Sequence, residues 1–76
     1  MDNDANLVKI KFWVVTRPTK QSALVDIVSQ SDLSDLDLRF KGGLSPGDVV
    51  GLFIEERAAN NMAKFLLAER DKGGAQ

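Results

Sequence analysis

The chain has 76 residues, 43% of them hydrophobic, with ten basic and eleven acidic side chains and no histidine, cysteine or tyrosine. This length allows a single domain over residues 1–76, whose one modest core buries only roughly 60–65% of the surface the unfolded chain exposes. Balanced charge argues against a protein built mainly to neutralise phosphates, and the missing cysteines exclude a disulfide staple or a thiolate metal site.

The opening Met-Asp-Asn-Asp-Ala-Asn is acidic and polar, unlike the basic-then-apolar start of a signal peptide. No apolar run reaches the roughly 18 residues of a membrane span. A cytoplasmic protein is expected, with an ordered core over residues 7–72 and flexible ends at 1–6 and 73–76.

Residues 7–16 predict the first strand. Val8, Ile10, Phe12 and Val14 fall on one face; Lys9, Lys11 and Trp13 fall on the other, with Arg17 just beyond. Pro18 ends the strand because it offers no backbone donor to a ladder. Residues 22–30 read in two ways. As a short helix they take Thr19 or Ser22 as N-cap and place Leu24, Ile27 and Val28 on one face. As a strand they draw on the β propensity of Val25, Ile27 and Val28; the helix is preferred. A polar connection over residues 31–35 leads to Leu36–Lys41, which alternates: Leu36, Leu38 and Phe40 inward, Asp37, Arg39 and Lys41 outward, a strand with one wet face.

Gly42-Gly43 and Ser45-Pro46-Gly47-Asp48 form a turn-rich connection, with Pro46 at the second position of a turn and Gly47 at the third, where positive φ is needed. Val49–Ile54 is apolar on both faces and reads as a central strand, Gly51 leaving a gap over which Trp13 could lie. From Glu55 to Lys72 the composition favours a helix, with Ala59, Met62 and Leu66 inward, Ala63 and Phe65 beside them, and Gly73 as its stop. A rival reading turns the chain at Asn60-Asn61 and pairs residues 62–69 with the preceding strand. The preferred fold is α+β: a three-stranded sheet with two helices on one face, in the order β-α-β-β-α. If both ambiguous segments are strands, the alternative is a five-stranded small β-barrel.

The segment Leu44-Ser45-Pro46-Gly47-Asp48-Val49-Val50 resembles the L-x-P-G-D-x-V stretch of several small β folds, among them AbrB-type swapped-hairpin DNA-binding domains and small molybdate-binding barrels. The resemblance covers about seven of 76 residues. It implies a turn that feeds a buried strand and brings no site residue with it.

Without histidine, cysteine or tyrosine, acid–base chemistry at neutral pH falls to Asp, Glu or Lys with strongly shifted pKa values. Thr19, Lys20 and Ser22 are close only in sequence, which does not make a nucleophilic dyad. Asp32, Asp35 and Asp37 lack the alternating calcium-loop pattern, and no G-K-[ST] follows the glycines. No enzyme, cofactor or metal is expected. What remains is Trp13 with Lys9, Lys11, Arg17, Arg39 and Lys41, the last two joining if strand 36–41 lies beside the first. An aromatic among basic residues on an open sheet face suits a protein partner or a second copy, making the chain a small regulatory or interaction module. The alternative is single-stranded nucleic acid, with lysines on phosphates and Trp13 stacked on a base; a third reading makes Trp13 structural, packed over Gly51. Bases cluster at Lys9, Lys11, Arg17 and Lys20 and acids at Asp26, Asp32, Asp35 and Asp37, so the surface is either dipolar or neutralised where the two blocks meet.

Overall fold

In the computed structural model, which describes residues 10–74, β1 (Phe12–Thr16) is the middle strand of an open, three-stranded antiparallel sheet. It is flanked by β2 (Val28–Ser31) on one side and β3 (Val49–Phe53) on the other. Five β-branched or aromatic residues in a row give β1 its extended preference. Trp13 lies opposite Gln30 and Phe53, Val14 opposite Ser29 and Leu52, and Val15 opposite Val28 and Gly51. The register slips between Val15 and Thr16, so that Thr16 faces Val49. The architecture is α+β, and the sheet does not close into a barrel. The expected strand residues 7–9, including Lys9, and the expected flexible end 1–6 lie outside the described residues.

The ambiguous stretch 22–30 does both things in turn. A single helical turn, α1 (Leu24–Ile27), passes directly into β2. The Ala23 N–H donates to Asp26 Oδ2 at 2.7 Å, and the Thr19 N–H donates to Ser22 Oγ at 2.9 Å. These local bonds satisfy amides that open the turn without a full helix to follow. Leu24, Ile27 and Val28 share a face and enter the core together, as the helical reading expects.

The expected strand over Leu36–Lys41 is instead a helix, α2 (Leu33–Lys41). Asp32 is its N-cap and accepts the Asp35 N–H at 2.8 Å. At the far end the Gly42 N–H donates to the Leu38 carbonyl and the Leu44 N–H to that of Arg39, with Gly43 at φ +116°. Only glycine takes that conformation without strain, so the cap is written into Gly42-Gly43. Leu36 and Phe40, four apart, bury one stripe, while Leu38, inward in the strand reading, is exposed. Positive φ therefore falls on Gly43 rather than Gly47, and Pro46–Asp48 forms one 3-10 turn with Pro46 at its start.

From that turn the chain enters β3, an edge strand and not the central one expected. It then forms α3 (Glu56–Gly74), which runs unbroken across Asn60-Asn61 and through Gly73. The strand alternative for residues 62–69 is thereby excluded. Over Gly51 lies the ring of Phe53, not that of Trp13: a β-carbon at Gly51 would sit 3.0 Å from Phe53 Cε1.

Alternation along β1 builds two cores. Val15 packs with Ile27, Ala59 and Ala63, joined by Trp13, Phe53, Met62, Leu66 and Leu67. On the opposite face Phe12 and Val14 pack with Leu36, joined by Phe40, Leu44 and Val49. The two expected helices, α1 and α3, thus share one face of the sheet, and the unexpected α2 covers part of the other. Phe65, expected beside the inward stripe, is exposed, and Leu67 packs inward instead. Among the described residues no helix is long and apolar enough to cross a membrane.

Candidate functional site

The residues singled out by sequence occupy separate places. Trp13 is half-buried on β1, with its ring in the α3-side core. Lys11 is exposed, and its Nζ lies 3.3 Å from Asp32 Oδ2 at the start of α2. Arg17 follows β1 and is held to the 46–48 turn: its backbone N–H donates to the Asp48 carbonyl at 2.8 Å and its guanidinium to the Gly47 carbonyl at 3.4 Å. Arg39, on α2, donates to Ser29 Oγ at 2.9 Å. Lys41 pairs with Asp37 one turn back, 2.9 Å away. Trp13 therefore faces α3 while Arg39 lies with α2, and the described residues do not surround the indole with positive charge. Lys9 falls outside the described residues.

The basic and acidic blocks meet at Lys11–Asp32. The Asp35 N–H holds the Asp32 carboxyl below the usual carboxylate range; partial withdrawal from water opposes this, and the Lys11 ammonium reinforces it. An anionic cap beside the first amides of α2 also suits the helix dipole. This cluster anchors a helix. Among the described residues no group of three or more His, Cys, Asp or Glu could hold a metal ion.

A different surface emerges around β3. Its outer edge pairs with no strand among the described residues. The strand reads Val-Val-Gly-Leu-Phe, with no proline and no charge, the devices by which edge strands usually resist pairing. The opposite edge, β2, is shorter and reads Val-Ser-Gln-Ser. Beside β3, on the α2 face of the sheet, an open groove of about 340 Å³ is lined by Ile10, Phe12, Leu33, Leu52, Phe53 and Ile54. Toward α3 a shallower hollow of about 530 Å³ is lined by Phe53, Ala58, Asn61, Met62 and Phe65. Ile54 is 76% exposed, Phe65 59% and Leu52 50%. Large apolar side chains thus flank, on both of its faces, a backbone edge that pairs with no strand among the described residues.

Sequence reasoning passed over this surface because it took two-sided apolarity to mean a central strand. The available signal was Phe65, which at 3.6 residues per turn falls on the flank of the Ala59–Ala63–Leu66 stripe. Compared with protein-family models, with curated proteins and with solved structures, the chain matches none.

Proposed function

We propose that this chain is a small, non-catalytic protein-interaction module of the cytoplasm whose contact surface is the outer edge of β3 and the apolar side chains beside it. One observation carries the reading: an uncharged, proline-free edge strand with Leu52, Ile54 and Phe65 exposed around it. Contiguous exposed apolar area rimmed by polar residues is what interaction surfaces present to water. The backbone edge adds main-chain hydrogen bonds, which give affinity, while alternate side-chain pockets give specificity. The absence of histidine, cysteine and tyrosine supports a binding role over a catalytic one. Trp13 enters as the support beneath the surface, since its cross-strand neighbour Phe53 lines both hollows.

The test places a photo-crosslinking side chain at position 65 of the full chain in cells that express it. A discrete protein adduct, abolished by Leu52→Lys, is expected. Irradiation that yields no adduct overturns the reading.

A further inference from the structure

We propose that the protein seated on this surface is a second copy of the same chain, related by a two-fold axis that passes beside Gly51 and Ala63. The second copy is proposed on the strength of the protein-interaction reading above. The two β3 strands pair antiparallel, so that two three-stranded sheets become one, and the two α3 helices pack antiparallel above the junction.

Three observations support this occupant. First, β3 has the pattern of a central strand but the position of an edge strand. Pairing β3 with its own copy reconciles the two, and a two-fold axis requires only one patch to be complementary to itself.

Second, one axis serves strand and helix together. Val15 lies opposite Gly51 and packs with Ala59 and Ala63, so the Ala59–Ala63 turn of α3 is level with the middle of β3. Counting back from the β3–α3 connection agrees. Ile54 to Gly51 spans about 10 Å of strand, and Glu56 to Ala63 spans about 10 Å of helix.

Third, the charges at the two ends of α3, Glu55 just before it and Lys72 in its last turn, are complementary to themselves in this register. Ala58, Met62, Phe65, Glu69 and Lys72 follow one another at helical spacing along the flank next to β3. With the axis beside Ala63, Met62 meets the second copy's Phe65. Toward the two ends Glu55, just before α3, meets the second copy's Lys72, and Ala58 meets the second copy's Glu69. Neither Glu55 nor Lys72 makes an ion pair among the described residues. A parallel packing would set each charge against its like; only the antiparallel one sets acid against base.

The experiment is sedimentation equilibrium on the full 8.3 kDa chain over a wide concentration range. A concentration-dependent species of twice the monomer mass is expected, together with β3 amides that exchange more slowly as concentration rises. Glu55→Lys should weaken association about fivefold to tenfold, because each of the two symmetric contacts turns from attraction to repulsion. Adding Lys72→Glu should restore it, since the reversed pair meets again across the axis. Phe65→Glu, at an exposed position, should abolish association while leaving the circular dichroism spectrum unchanged.

A strict monomer throughout overturns the proposal. So does a dimer that the double reversal fails to restore and whose β3 amides ignore concentration. The crosslinker at position 65 separates the two levels of inference. An adduct with a different protein from a monomeric chain defeats self-pairing and leaves the interaction reading standing; no adduct from a monomeric chain defeats both.

Discussion

Replacing Trp13 by alanine distinguishes a packed ring from a ring held out for a ligand. The indole sits in the core formed by Val15, Ile27, Ala59 and Ala63 and is half-buried there. Truncating a fully buried aromatic costs about 3–5 kcal/mol. With part of the indole still in water, roughly half of that is lost, about 2 kcal/mol. A chain of this size has about 4–11 kcal/mol of stability in all. At about 4–8 °C per kcal/mol, the melting temperature should fall by roughly 8–16 °C. The assay is thermal unfolding followed by far-ultraviolet circular dichroism, which reports α3, at one fixed chain concentration so that self-association does not enter. Trp13→Phe, which keeps a ring against this cluster, should recover most of the loss. A Trp13→Ala melt within about 2 °C of wild type would refute the packing assignment and return the indole to the surface role expected from sequence.

Val15→Ala should cost about 2–3 kcal/mol in denaturant unfolding, from two lost carbons and the cavity they leave, because Val15 is fully buried. Val25→Ala should stay within about 0.5 kcal/mol, since Val25 is 81% exposed. Arg70 donates to the carbonyls of Thr19 at 2.9 Å and Ser22 at 2.6 Å, tying the turn before α1 to the end of α3. Arg70→Ala should therefore cost about 1–2 kcal/mol and speed amide exchange over residues 19–24; unchanged exchange there would remove the clamp from the account. Asp32 has its carboxyl pKa lowered by folding, so its stabilisation is complete above the unfolded value of about 3.9 and is lost as pH falls through the lower folded value. The stability gap between wild type and Asp32→Ala should accordingly close as the pH drops below about 4, and a gap that persists in strong acid would contradict the capping role.

How far the fold could be read from sequence depended on whether local signals agreed. In β1, β-branched and aromatic residues coincide with strict alternation, and in α3 helix formers coincide with an inward stripe; α3 forms where expected, and β1 forms over Phe12–Thr16, with Ile10 and Lys11 of the expected strand lying before it. Leu36–Lys41 carried two signals that disagreed. Leu36, Leu38 and Phe40 alternate, but Leu33, Leu36 and Phe40 also mark one side of a helix, and Asp32, Asp35 and Gly42-Gly43 supply both of its ends. The capping chemistry prevailed because it satisfies backbone groups in place, whereas a strand at this point would have needed a neighbour to pair with. With α2 formed, Arg39 and Lys41 no longer flank Trp13, and the candidate basic surface lost two members for a purely local reason.

The surface around β3 escaped notice for a reason of a different kind. Two-sided apolarity records that both faces of a strand are shielded from water, but it is silent on whether the shielding lies within one chain. The inward face of α3 is instructive. Its fully buried positions are alanines, Ala59 and Ala63, while the larger Phe65 stands in water. Small residues inward allow the helix to settle closely over Val15. If α3 served only to cover its own sheet, the aromatic would lie inside, where its burial stabilises most. A helix built with alanine beneath and phenylalanine at its flank carries its largest apolar group where a neighbour would meet it. Leu52 on β3 and Ile54 just after it repeat that placement.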